Sequence, residues 1–352
     1  MSNLVASHPT ISVVILNYNG QDWLERCFAS LESQTVFGEI EVIVVDNHSP
    51  DGSAQLAERW LNRSGGKGRC IKSPVNLYFC EGNNVGAAQA SGKYLFFLNN
   101  DTWLEPDCLE TLLSEVQRVG ATAANPVVLD YDADTFQSLG SPGFDLFGIP
   151  LGLGRFSETK PIFAACGCGY LIRNDVFASV GGFDPALLMY SDETDLSWRV
   201  QIGGGVVVGV PAARLHHRGA TAANPEGKTR IVESRTSETK RFLSNRNGIL
   251  LIAKNAQGLL LLLLIPHLLL LLAEAFASLV LIRNWRFTRR AYLDAIADAF
   301  RMRGHVMEWR RRIRGFRKRS DFQMLRFLRL RPARWDEVKR LFKFGAPKVD
   351  AR

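Results

Sequence analysis

The sequence predicts an α/β fold built on a mostly parallel sheet with helices on both faces. Three observations predict it. Short, β-branched apolar runs alternate with helically spaced ones, each strand-like run is continuously apolar rather than alternating, and each ends in a polar, turn-forming cluster. With 352 residues, 46% of them apolar, the chain can bury a sizeable core as one large domain or two ordinary ones. A disordered or fibrous protein is excluded.

Ile11 to Leu16 reads as a buried strand closed by Asn17-Tyr18-Asn19-Gly20, and Asp22 to Gln34 then shows helical spacing through Trp23, Leu24, Cys27 and Leu31. A second strand, Glu41 to Val45, ends at Asp46-Asn47-His48-Ser49, and Ala54 to Leu61 is helical again. Asn83 to Ser91 predicts a short helix, and Tyr94 to Leu98 a strand ending in Asn99-Asn100-Asp101. In open sheets of this kind ligands bind beyond the carboxyl ends of the strands, so Asn17, Asp46 and Asn99 to Asp101 are expected to converge on one crevice. No G-x-G-x-x-G or G-x-x-x-x-G-K-[ST] loop is present, which argues against dinucleotide or Walker-type phosphate binding. Gly140 to Lys160, rich in Gly, Pro and Phe, is expected to loop over the crevice; Phe163 to Ile172 predicts another strand, and residues 222 to 240 an exposed loop.

The six cysteines are scattered with no Cys-x-x-Cys spacing, and the N-terminus has no basic-then-apolar-then-small signal pattern. Reduced thiols in a cytosolic chain are expected, with Cys166 and Cys168 as small residues sharing one side of a strand-like run.

The charge is divided. Residues 1 to 282 hold 21 Lys+Arg against 28 Asp+Glu, and the last 70 residues 22 against 7, a balance of −7 followed by +15. Between these regions, leucine-rich Gly258 to Ile282 carries only Glu274 as a formal charge and is long enough to cross a bilayer, with Pro266-His267 after its first eight residues. A single span would put the basic tail in the cytoplasm and residues 1 to 257 outside. Re-entrant or interfacial helices broken near Pro266 would leave both flanks cytoplasmic, and burial in the fold or in a homo-oligomer is the remaining alternative. Arginines interleaved with Trp285, Phe287, Phe300 and Trp309 suggest anionic lipid headgroups as a partner; no nucleic-acid motif accompanies them, so nucleic acid is not expected.

Six segments taken in order, ISVVILNYNG (11–20), VVDNHSPDG (44–52), NLYFCEGNNVG (76–86), YLFFLNND (94–101), GGFDPALLMYSDETDLSWR (181–199) and RFLSNRNGILLIAKN (241–255), resemble the family 2 inverting glycosyltransferases with the GT-A fold, in the rhamnosyltransferase-like branch. The resemblance covers roughly residues 10 to 256. It implies a GT-A catalytic domain over 1–240, with a donor half at about 10–101 and an acceptor half at about 102–221; hydropathy and charge add apolar re-entrant or interfacial helices over 241–282 and a basic amphipathic tail over 283–352. It also implies donor-nucleotide contacts from Asn17, Asp46, Asn76, Asn84, Asn99 and Asn100, although Tyr78 stands where the family often has glycine. Asn99-Asn100-Asp101 occupies the family's Asp-x-Asp place, so Asp101 would hold Mg²⁺ or Mn²⁺ together with the diphosphate, whose charge needs hard-oxygen-bound cations.

In Asp192-Glu193-x-Asp195 the two leading acids are swapped relative to the family. Glu193 matches the position of the base that would take the acceptor proton, with Asp192 as the alternative. His216-His217-Arg218-Gly219 resembles a family element near the site, where His216 would either touch the metal or diphosphate or simply pack. The expected activity is non-processive, inverting transfer of a sugar from a nucleoside diphosphate donor to a saccharide hydroxyl, lipid-linked or on the cell surface, at the cytoplasmic face of a membrane. A processive synthase would carry Gln-x-x-Arg-Trp and several spans. The rivals are a metal-dependent sugar nucleotidyltransferase, which would carry a Gly-rich loop with Arg and Lys after the first strand, and a non-enzymatic membrane adaptor.

Overall fold

Strands β1 (Ile11–Asn17), β2 (Ile40–Asp46), β3 (Gly68–Lys72) and β4 (Tyr94–Asn99) form the parallel half of one sheet, in the order β3-β2-β1-β4. The computed structural model describes residues 9–65, 68–152, 154–219, 235–345 and 347–350. The predicted exposed loop at 222 to 240 lies mostly outside the described residues. Helices α1 (Leu24–Glu32), α2 (Ser53–Arg63) and α3 (Tyr78–Ala87) connect these strands. Consecutive strand residues are buried on opposite faces: Val13, Ile15, Phe96 and Leu98 pack in the core with α1 and α2, while Val14, Leu95 and Phe97 pack in the core with the later helices. Burial on both faces explains why the strands read as unbroken apolar runs.

The second half of the sheet is mixed. β5 (Thr102–Leu104), α4 (Cys108–Val119), β6 (Ala123–Asp130), β7 (Phe136–Ser138), β8 (Lys160–Ile162), β9 (Gly169–Arg173), α5 (Asn174–Ser179), α6 (Asp192–Ile202) and β10 (Val207–His217) follow in sequence. β9 runs antiparallel between β4 and β6, β10 lies parallel to β6, and β5 closes the edge antiparallel to β10. Of the strand predicted over 163 to 172 only the part from Gly169 joins the sheet as β9; residues 163 to 168 are irregular, with Ala164 bridging Ser141. The loop predicted over the crevice, 140 to 160, instead docks its centre on the C-terminal region: Phe144 is fully buried beside Trp198, and its backbone pairs with Phe327 and Arg329.

The C-terminal region is not a separate tail. α7 (Glu238–Asn255), α8 (Gly258–Leu261), α9 (Leu264–Leu281), α10 (Trp285–Thr288), α11 (Ala295–Arg301), α12 (Arg303–Phe316) and α13 (Asp321–Met324) wrap the catalytic half. Trp309, Ile313, Met324 and Phe327 share one core cluster with Phe144, Phe163 and Trp198. An ionic seam reinforces this packing. Asp195 accepts from Arg199 at 2.8 and 3.0 Å, from Asn255 at 2.7 Å and from Lys254 at 3.2 Å; Lys254 also pairs with Asp184, which His305 meets at 2.9 Å. The Trp309 ring covers Arg199 and Lys254 at 4.7 and 4.6 Å. Lys254→Met would leave two buried carboxylates short of a cation and is expected to lower stability by about 3 kcal/mol or more, measurable by denaturant unfolding.

The bend expected at Pro266 is absent. The helical hydrogen bonding breaks earlier, at Leu262–Leu263, and Pro266 sits in the first turn of α9, where its missing N–H has no helical partner to lose. One face of α9 is committed to the protein through His267, Leu271, Ala275 and Ser278, with His267 Nδ1 2.7 Å from the Phe147 carbonyl and Ser278 bonded to Thr288 at 2.9 Å. Leu259, Leu262, Ile265, Leu269, Leu272 and Phe276 form an exposed apolar stripe on another face.

Candidate active site

At the carboxyl ends of β1, β2 and β4 the polar clusters meet. Asn17 is fully buried, and its amide nitrogen donates to Asp46 at 2.8 Å and Ser53 at 2.7 Å, while its oxygen accepts from Asn100 at 2.9 Å. Gly20 makes room for this junction, since a Cβ there would lie 2.2 Å from Asn17 Oδ1 and 2.5 Å from Asn100 Nδ2. Asp46 also accepts from the Ser49 backbone at 3.1 Å, so both of its oxygens are engaged in holding the β1 and β2 turns.

Asn76 closes the next turn, accepting from Asn47 at 2.9 Å and from Tyr78 N–H at 2.8 Å. Tyr78 takes φ +57°, the left-handed conformation a glycine at that place would supply, and the two asparagines hold it there. Asn47 was not singled out by the sequence. Asn84, expected at the donor, spends its amide elsewhere: it donates to Phe183 O at 2.9 Å and accepts from Phe183 N–H at 3.0 Å, tying α3 to the segment that precedes α6.

Asp101 begins the turn into β5. Its backbone oxygen accepts from Arg218 N–H at 3.0 Å, and its carboxylate lies 3.4 Å from His217 Nε2. Burial disfavours charge on both groups, but their mutual hydrogen bond and attraction outweigh it. Asp101 therefore stays below the usual carboxylate range, and His217 above the usual imidazole range. The partner of Asp101 is thus His217 and not His216. Adjacent residues of β10 point to opposite faces, and His216 faces away, stacked on Trp103 at 3.7 Å, with Nδ1 2.9 Å from Asp130 O. On that face Glu105, Asp134 and His216 bring ligand atoms within 4.8 Å of one another, and Arg214 bridges the two carboxylates at 3.2 and 2.8 Å.

The remaining acids of the predicted site lie in the first turn of α6. Asp192 is buried and Glu193 partly so. Loss of hydration pushes the Asp192 carboxyl up to about 7, and burial beside Asp192 raises Glu193 well above the carboxylate range, so the two share a proton near neutrality. Cys166-Gly167-Cys168 runs along this turn: a Cβ on Gly167 would stand 3.8 Å from Glu193 Oε2, and the two thiols lie 3.5 Å apart. All six cysteines are free. Asp195, the third acid of the motif, is fully buried in the ionic seam and does not face the crevice.

The chain thus offers an acidic oxygen with a neighbouring imidazole, a pair of buried carboxyls with raised pKa, and amide-lined turns at the strand ends. Residues 12–181 match the model of the glycosyl transferase family 2. A Mycobacterium tuberculosis N-acetylglucosaminyl-diphospho-decaprenol L-rhamnosyltransferase is 26% identical over 268 residues, covering 68% of this chain and 85% of that protein. The Myxococcus xanthus O-antigen biosynthesis protein RfbC is 29% identical over 236 residues, which cover 62% of this chain but only 18% of that longer protein. Among solved structures, GalNAc-T7 with UDP, GalNAc and Mn²⁺ superposes with a TM-score of 0.57 at 16% identity, over 71% of this chain and 48% of that one. Staphylococcus aureus TarS 1–349 superposes with a TM-score of 0.56 at 13% identity, over 87% and 89%. The fold is GT-A, and over residues 12–181 the chain is similar to the family 2 glycosyltransferases, with a rhamnosyltransferase among its relatives.

Proposed function

We propose that the chain transfers a sugar from a nucleoside diphosphate donor to a hydroxyl of a lipid-linked or cell-surface saccharide, with inversion, at the cytoplasmic face of a membrane. The observation that carries this reading is that the Cys166-Gly167-Cys168 segment lies beside both acidic groups, with Gly167 next to Glu193 and the Cys168 thiol within the field of Asp101. Single displacement needs one base on the acceptor side of the anomeric carbon and no covalent intermediate. The turns of Asn17, Asp46 and Asn76 shape the donor side, and the carboxyl pair takes the acceptor proton as the hydroxyl attacks. UDP in TarS and the lipid diphosphate in the name of the Mycobacterium relative support the two substrate classes.

A divalent cation, Mg²⁺ or Mn²⁺, fits the donor side. Asp101 is the only anionic group of its triplet, Asn99 and Asn100 offer amide oxygens beside it, and hard oxygens suit such ions. Mn²⁺ in GalNAc-T7 points the same way. When bound, the cation would neutralise charge on the departing diphosphate. The side chains that would hold it are Asp101 with the diphosphate, and His217 is the neighbouring imidazole.

The membrane reading rests on the exposed stripe of α8 and α9. Leu259, Ile265, Leu269 and Phe276 are 55 to 72% exposed, and the exposed Trp285, Arg283, Arg286, Arg289 and Arg290 follow directly. With its inner face on the protein, α9 would lie in one leaflet instead of crossing it, and each nearby arginine would add about 1 kcal/mol of attraction to anionic headgroups. Leu269→Glu with Phe276→Glu is expected to move the chain from pellet to supernatant in co-sedimentation with phosphatidylglycerol vesicles, and 1 M salt alone to weaken binding only in part. Full release by salt alone, or loss of a dimer instead of vesicle binding in the variant, would count against the leaflet reading.

A further inference from the structure

The segment that delivers the carboxyl pair to the crevice is strained. Leu188, Tyr190 and Ser191 have φ of 64°, 68° and 61°, three left-handed non-glycine residues within four positions, directly ahead of Asp192. Such conformations persist only where the surroundings over-determine them, and they gather where a group must be held ready. Here every carbonyl from 186 to 190 has a donor. Asn247 Nδ2 lies 2.9 Å from the oxygens of Leu187, Met189 and Tyr190; Arg246 Nη2 donates to Ala186 O at 2.8 Å and Leu187 O at 3.2 Å; and Cys80 N–H donates to Leu188 O at 3.0 Å. Arg246 also donates through Nε and Nη2 to Asn247 Oδ1, both at 3.0 Å, which fixes the amide with its NH₂ toward the strained turn. Asn247 is fully buried and touches nothing that could be substrate.

We propose that Asn247, oriented by Arg246, is a positioning residue that holds the 187–191 turn in its strained form and thereby sets the place of the Asp192–Glu193 pair. The proposal rests on the reading of that pair as the base. A turn released from the clamp would relax toward ordinary φ values, and the first turn of α6 would shift with it, away from the acceptor and not from the donor. Donor binding, made by other elements, would stay.

The test uses the full chain and the sugar nucleotide it hydrolyses fastest among uridine- and thymidine-diphosphate sugars. Asn247→Ala is expected to lower kcat at least tenfold, with donor KM and the Kd for UDP with Mn²⁺ within about twofold of wild type, and to displace the acidic limb of the kcat–pH profile. Ser191→Gly added to Asn247→Ala should restore a large part of the lost kcat, because glycine adopts a positive φ without a clamp. Should Asn247→Ala not fold, Arg246→Lys, which loses the planar fork but keeps the charge, is read the same way. Wild-type kcat, a loss that merely follows the unfolded fraction, or no recovery with Ser191→Gly would overturn the proposal. If Asp192→Asn and Glu193→Gln both turn over normally, the base reading fails and takes the clamp with it; if they are slow and Asn247→Ala is fast, only the clamp fails.

Discussion

Asp101→Ala is expected to abolish detectable transfer, a loss of about 10³-fold or more, which is the scale of removing a principal electrostatic contact to a developing charge. Three features combine at this residue. It is the only acid of Asn99-Asn100-Asp101, so alanine removes all negative charge from the strand end. Arg218 N–H holds its backbone oxygen and His217 its carboxylate, so the side chain is already placed where it is needed. The same replacement leaves His217 without its partner, and the imidazole should then titrate lower than in the wild type, because the pairing that raised it is gone while the burial remains. Isothermal titration of UDP with and without Mn²⁺ checks the first effect, and histidine titration by NMR the second. Asn99→Asp adds a second hard anionic oxygen and is expected to be tolerated or to tighten metal binding.

Glu193→Gln is expected to lower kcat by roughly 10² to 10⁴, the usual worth of a general base, with little change in donor binding. Asp192→Asn tests the other member of the pair, and the double replacement should be no worse than the poorer single one, because the two act as one proton-sharing unit. The pH dependence follows from the raised carboxyls. A base must be ionised, and burial raises both carboxyls of the pair, so kcat should still be rising with pH well above the range where an ordinary carboxylate would have levelled off. Asp192→Asn removes the neighbouring charge that helps raise Glu193 and should move that limb downward.

The donor half of the molecule was legible in the sequence because its signals are local. Unbroken apolar runs closed by Asn and Asp give parallel strands and the polar edge they share, and Asn17, Asp46 and Asn100 do meet there. What the sequence left hidden depended on register and on long-range contacts. His216 and His217 are equivalent by spacing, and only the pairing of β10 with β5 decides which one faces Asp101; strand alternation shows that the two cannot both do so, but not which does. Asn84 looks like a crevice amide, yet it binds Phe183, 99 positions away. The basic tail reads as an amphipathic surface segment because arginines dominate it, while Trp309, Ile313 and Phe327 are the few apolar residues that the fold uses as core. Pro266 looked like a break, but a proline in a first helical turn starts a helix as readily as it ends one.

The central claim is that the crevice between Asp101 and the carboxyl pair moves a sugar off a nucleoside diphosphate. Release of nucleoside diphosphate from a panel of uridine- and thymidine-diphosphate sugars in the presence of Mn²⁺, compared between the wild-type chain and Asp192→Asn/Glu193→Gln, tests it most directly. The account predicts release from at least one donor by the wild type and a drop of 10²-fold or more in the double variant, with UDP binding retained. Equal release by both chains from every donor would contradict it.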